Sequence, residues 1–250
     1  MIDNKSLFPL LLSLIAGFST LLGAFIVFFT NKRNTKLLAF TLALSAGIMA
    51  AISITDLLPC SLDSLVKSLG KPSGTFYSVL FLLIGVFIAL LIDFLIPDKS
   101  NEPLYKVGLF TTIALMIHNF PEGIATFISG YQDTNLGIYI TIAITLHNIP
   151  EGISIAIPIY YSTKSKLKAL KITFISAAAE PLGAFFSYVI LKPYINDIIL
   201  SICFALIAGI MIFISFKELI PESLSFGYKS LYFAGIIIGV LLIPISHIFI

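Results

Sequence analysis

The hexapeptide His118-Asn119-Phe120-Pro121-Glu122-Gly123 returns 29 residues later as His147-Asn148-Ile149-Pro150-Glu151-Gly152, and each copy lies inside a long apolar stretch. Imidazole and carboxylate four residues apart share one face of a helix. Two such helices facing each other bring two imidazoles and two carboxylates together. At membrane depth a charged group costs about 3 kcal/mol or more and is rarely kept without a function. Imidazole suits Zn, Fe, Ni and Cu, while carboxylate suits harder ions such as Mn. The mixed set, with no thiolate beside it, points to Zn²⁺, Fe²⁺, Co²⁺ or Mn²⁺ held weakly enough to be released again. The repeat is wider than the hexapeptide, since Thr112 to Ala125 matches Thr141 to Ser154 at nine of 14 positions. A single His–Glu hydrogen bond tying two helices together would explain one copy, but not two copies that both retain the proline.

Each copy adds further donors. Proline cannot donate to the carbonyl four residues back, so Pro121 and Pro150 release the carbonyls of Ile117 and Leu146 beside the ligands. Asn119 and Asn148 fall on the adjacent helix face and offer amide oxygens. Glu180, in a third apolar stretch, is also followed by proline. These residues allow a binuclear site: one ion on His118, Glu122, His147 and Glu151, a second on Asn119, Asn148, Glu180 and the same two glutamates.

The surrounding chain must place this cluster in a bilayer. Of its 250 residues, 58% are hydrophobic and 11% charged, against about 25% charged in a soluble domain. The mean hydropathy of +1.04 leaves no room for a separate soluble domain. Apolar segments long enough to cross as helices run approximately over 7–29, 37–57, 75–96, 107–129, 136–161, 169–191, 196–220 and 230–250. The expected fold is all-α with eight transmembrane helices in one domain spanning 1–250, in the cell membrane. Polar or turn-forming breaks fall at 31–34, 71–74, 97–101, 130–133 and 164–166. Basic residues set orientation. Lys32, Arg33, Lys36, Lys99, Lys106, Lys164, Lys166, Lys168, Lys171, Lys217 and Lys229 cluster by the odd-numbered loops, against Lys5, Lys67, Lys71 and Lys192 on the other side. The odd loops are therefore cytoplasmic and both termini outside. A net charge of +2 gives no reason to expect nucleic acid, no phosphate-binding GxxxxGK[ST] motif suggests ATP, and the distant Cys60 and Cys203 suggest neither a disulfide framework nor a thiolate zinc cluster.

A second repeat lies 162 residues apart. Ala46-Gly47-Ile48-Met49 reappears as Ala208-Gly209-Ile210-Met211, and ten of 17 positions through Leu62 and Leu224 are identical. In this register Ser53 matches Ser215, and Asp56 matches Glu218 shortly before Pro59 and Pro221. The two segments cross in opposite directions, as do the two HNxPEG segments. Inverted repeats of this kind typify secondary transporters with a midplane site. Asp56 then stands at the outer mouth and Glu218 at the cytoplasmic mouth of an ion path.

HNFPEGIATF from His118, HNIPEGISIA from His147, Ala179-Glu180-Pro181-Leu182-Gly183 and Glu218-Leu219-Ile220-Pro221 together resemble the ZIP (Zrt/Irt-like) family of divalent-metal transporters, most closely its ZupT-like bacterial branch. The resemblance implies a 3+2+3 helix arrangement, a binuclear centre, uptake toward the cytosol, a broad substrate range and often a homodimer. The metal is cargo, with no prosthetic group. Two features depart from the family: the loop between spans three and four is short and lacks histidine, and Lys217 stands where histidine is common. The competing class, an intramembrane zinc-dependent hydrolase, would ordinarily read HExxH with an open position for water. The order HNxPE does not supply that.

Overall fold

The computed structural model describes residues 4–29, 34–95 and 104–249, and within them every side chain except those of 4, 104–111, 114, 118 and 246–249. The described residues are almost all helical, without a strand: α1 (Asn4–Ala24), α2 (Thr35–Ile52), α3 (Leu58–Leu69), α4 (Lys71–Leu95), α5 (Leu104–Gln132), α6 (Thr134–Thr163), α7 (Lys166–Ala177), α8 (Ala179–Phe186), α9 (Asp197–Ile214), α10 (Ile220–Ser225) and α11 (Lys229–Phe249). Among the described residues, six continuous stretches are long and apolar enough to cross a membrane: Lys5–Phe28, Thr35–Leu69, Lys71–Leu95, Thr134–Thr163, Lys166–Tyr194 and Asp197–Ser225. Beside them stand α5, which carries the first HNxPEG copy, and the shorter apolar stretch Lys229–Ile245.

Local chemistry fixes the helix starts. Asn34, Asp133, Ser165 and Asn196 each accept the backbone N–H three residues ahead, at 3.0, 2.8, 3.2 and 2.9 Å. Such side chains satisfy donors that a helix start leaves without a partner. The breaks are tighter than polarity suggests. Gly70 alone, at φ +80°, turns α3 into α4. Pro72 sits inside the first turn of α4, where its missing N–H costs nothing. Asp133 alone separates α5 from α6. Both α5 and α6 stay helical through Pro121 and Pro150. Of the basic residues that set orientation, Lys32, Arg33 and Lys99 lie outside the described residues.

The 162-residue repeat is structural as well as sequential. Wide π-helical turns occupy Ser53–Leu57 and Ser215–Leu219, each leading into a helix with proline in its first turn. A π turn shifts the hydrogen-bond register where proline would otherwise leave a mismatch, and such turns gather at functional sites. Ser53 Oγ donates to the Met49 carbonyl at 2.7 Å and Ser215 Oγ to the Met211 carbonyl at 2.8 Å. Asp56 and Glu218 occupy the same place in their turns.

Burial of apolar side chains gains little when the alternative is lipid, so close backbone approach must hold the helices. A Cβ at Gly47 of α2 would run into the Ile236 carbonyl of α11, and one at Gly209 of α9 into the Leu82 carbonyl of α4. Nearer the centre, Gly23 of α1 lies against the Ile149 carbonyl of α6 and Gly183 of α8 against the Phe120 carbonyl of α5. The polarity is inside out. Phe76, Leu83, Phe87, Leu91 and Phe94 of α4 are exposed, whereas Asn119, Glu122, His147, Asn148, Glu151 and Glu180 are buried.

Candidate metal centre

The HNxPEG segments lie on neighbouring helices α5 and α6, with α1 and α8 closing the sides. Gly123 allows α8 to approach, since a Cβ there would meet the Glu180 carbonyl; Gly152 does the same for α1 at the Thr20 carbonyl. His147 Nε2 stands 3.0 Å from Glu122 Oε1, and its Nδ1 lies 3.2 Å from the Ala143 carbonyl. A carbonyl only accepts, so Nδ1 carries hydrogen and donates to it. The short Nε2–Oε1 contact then holds a second hydrogen between imidazole and carboxyl. Asn148 Nδ2 uses both hydrogens, donating at 2.9 Å to Glu180 Oε2 and at 2.9 Å to the Ala16 carbonyl. Its Oδ1, the Glu180 Oε1 and both amide atoms of Asn119 have no hydrogen-bond partner among the described residues.

Glu122, Glu151 and Glu180 are 1%, 1% and 0% exposed, and Glu180 is within electrostatic reach of the other two. Burying one charge is costly, and gathering three of like sign demands protons or cations among them. His147 pairs closely with Glu122 and Asn148 with Glu180, and among the described residues no three His, Cys, Asp or Glu side chains converge on one point. The side chain of His118 lies outside the described residues.

The repeat-related acids stand in the two matching π turns. Asp56 accepts from Tyr139 Oη at 2.7 Å and from Thr55 Oγ1 at 2.6 Å, which ties the π turn after α2 to the start of α6. Glu218 lines a cavity of about 60 Å³ with Ala89, Ile117, Pro121 and Ile214. That cavity joins the π turn after α9 to the proline of the first HNxPEG segment. Lys217 next to Glu218 is exposed.

Residues 97–246 match the family model described as ZIP Zinc transporter. The chain is 44% identical to the Zinc transporter ZupT of Oceanobacillus iheyensis, over 98% of both chains. It is 42% identical to that of Streptococcus mutans, over 94% of this chain and 95% of the relative. The chain belongs to the ZIP family.

ZIP proteins are transporters, not enzymes, so the hydrolase reading falls away. Membership also agrees with a multi-pass membrane protein. Two residues beside the ZIP centre escaped the sequence reading. Tyr139 carries no motif, and only the fold brings it to Asp56. Thr20 had a signal in plain view: Leu22-Gly23-Ala24-Phe25 recurs as Leu182-Gly183-Ala184-Phe185, which aligns Thr20 with Glu180.

Proposed function

We propose that this chain is a secondary transporter that carries Zn²⁺, and with it Fe²⁺, Mn²⁺ and Co²⁺, into the cytosol through a binuclear His/Glu/Asn centre at the membrane midplane. Its scaffold is eight spans in a 3+2+3 inverted repeat with both termini outside. One observation carries the reading: three carboxylates, no more than 1% exposed, lie inside a bundle whose outer surface is apolar, one of them 3.0 Å from a buried histidine. Only a cationic cargo gives that arrangement a reason. The ligands are His118, Glu122, His147 and Glu151 for one ion, and Asn119, Asn148 and Glu180 with the same two glutamates for the other. The relatives' name, Zinc transporter, supports zinc as one substrate, and the N/O donor set supports the wider range. Asp56 receives the ion outside and Glu218 passes it on inside. The matching π turns and matching glycine contacts support the inverted repeat.

The deciding experiment is uptake of radioactive zinc into proteoliposomes holding the purified protein, with iron and manganese as competitors. Saturable entry supports transport; stoichiometric zinc binding without entry would refute it. Glu180→Ala should shift the competition order among zinc, iron and manganese more than it lowers the maximal rate, because it removes a ligand of one ion only. An unchanged order would argue for a single-ion centre. In a background where Cys60 and Cys203 are serine, Asp56→Cys should react with an impermeant thiol reagent from outside and Glu218→Cys from the cytoplasmic side. Reaction of both from one face would overturn the two-mouth assignment.

A further inference from the structure

Helices α1 and α8 hold the centre from opposite sides in matching ways, 160 residues apart. The tetrapeptide Leu22-Gly23-Ala24-Phe25 equals Leu182-Gly183-Ala184-Phe185, and the residue three before the glycine is Thr20 in one copy and Glu180 in the other. The carbonyl of Thr20 packs on Gly152, and that of Glu180 packs on Gly123, the corresponding glycine of the other HNxPEG segment. The next contact matches too, with Gly23 against the Ile149 carbonyl and Gly183 against that of Phe120. Under this correspondence the partner of Glu180, Asn148, maps onto Asn119. Glu180 reaches Asn148 at 2.9 Å. A threonine hydroxyl lies two bonds nearer the backbone than a glutamate carboxyl oxygen.

Thr20 Oγ1 and both amide atoms of Asn119 are buried without a hydrogen-bond partner among the described residues, and both residues are 0% exposed. Thr20 shares this with the serines Ser13, Ser176 and Ser187, but other buried threonines and serines of the bundle donate to the carbonyl four residues back. Thr126, Ser129, Thr141 and Thr173 do so at 3.0, 2.6, 2.7 and 3.0 Å. The carbonyl that would serve Thr20, that of Ala16, instead accepts from Asn148 and Ser19. A buried hydroxyl without a partner costs about 1–3 kcal/mol.

We propose that Thr20 is a further substrate-contacting residue of the metal centre. Its hydroxyl oxygen and the Asn119 amide oxygen form an uncharged half that faces the cation, opposite the charged half made by Glu180 and Asn148. The proposal rests on the transport reading above. Neutral oxygens favour harder ions, so this half assists Mn²⁺ more than Zn²⁺. They also add no charge that would hinder release.

The test compares wild type with Thr20→Val, which keeps the branched shape without the hydroxyl, and Thr20→Ser, which keeps the hydroxyl. Thr20→Val should raise the KM for Mn²⁺ uptake by about fivefold or more relative to that for Zn²⁺, and Thr20→Ser should keep the wild-type ratio. An unchanged Mn²⁺/Zn²⁺ ratio in Thr20→Val, including an equal fall for both ions, would overturn the proposal because it is what a packing role gives. Absence of uptake in the wild type would refute transport itself. Mn²⁺ binding to purified protein, read by electron paramagnetic resonance, then decides the Thr20 role: weaker in Thr20→Val supports it, equal overturns it.

Discussion

Alanine at Glu122 or Glu151 is expected to abolish saturable zinc uptake, with a loss of at least about a hundredfold, while the protein still reaches the membrane. Even a residue that only orients a metal ligand is worth about 10–100-fold in affinity, and each glutamate is proposed to bind both ions. Each is also 1% exposed, so no solvent replaces the missing charge. Glu122→Ala also deprives His147 Nε2 of its 3.0 Å partner. The corresponding glutamines separate charge from shape: they restore volume but not flux. Normal uptake in both alanine variants would sink the central-site reading. The same contact gives the pH dependence its sign. Nδ1 of His147 is committed to the Ala143 carbonyl, so the hydrogen between Nε2 and Glu122 must leave before the imidazole binds an ion. Metal binding therefore releases protons and weakens as pH falls. Calorimetry in two buffers of different ionisation heat measures that release directly.

The sequence made the centre visible because its chemistry is written twice in a place where polarity is expensive. A duplicated His–Glu pair at helical spacing has few structural explanations in a chain that is 58% hydrophobic. Glu180 is legible for the same reason, being an acid amid apolar residues. Thr20 is not, because a hydroxyl in a membrane helix ordinarily satisfies itself on the carbonyl four residues back and draws no notice. The Leu-Gly-Ala-Phe repeat aligns it with Glu180, and the packing of its carbonyl on Gly152 shows that it stands where Glu180 stands on the other side. The helix ends were obscured differently. The apolar run of the second span stops near residue 57, yet the chain stays helical to Leu69. The π turn at Ser53–Leu57 absorbs the proline, and the missing donor of Pro59 falls in the first turn of α3. A register shift of that kind depends on hydrogen bonds, which hydropathy does not record. Tyr139 is the extreme case. Its 2.7 Å bond to Asp56 joins residues 83 positions apart and depends wholly on how α6 lies against the turn after α2.

The glycines that end the two HNxPEG segments should tolerate nothing larger. A Cβ at Gly123 would overlap the carbonyl oxygen of Glu180, and one at Gly152 the carbonyl oxygen of Thr20. In both cases the obstacle is backbone, which cannot rotate aside as a side chain can, so α5 must separate from α8, or α6 from α1. Overpacking ordinarily costs about 1–3 kcal/mol, and rigid neighbours place these two at or beyond the upper end. The displacement also acts on function, because the carbonyls being pushed belong to the residues whose side chains flank the centre. Gly123→Ala is therefore expected to lower the melting temperature in detergent and to reduce zinc uptake by more than the loss of folded protein explains. Gly152→Ala should do the same through α1. Gly130→Ala is the internal control: it lies on α5 too, but its added Cβ would meet only the side chains of Leu12 and Pro9, at 3.3 Å. It should cost less than about 1 kcal/mol and leave uptake near wild type. Equal thermal shifts in Gly130→Ala and Gly123→Ala would mean that helix propensity, not backbone contact at the centre, governs these positions. A Gly123→Ala protein that keeps both wild-type stability and flux would show that α8 need not lie against α5, and with it would go the placement of Glu180 beside Asn148.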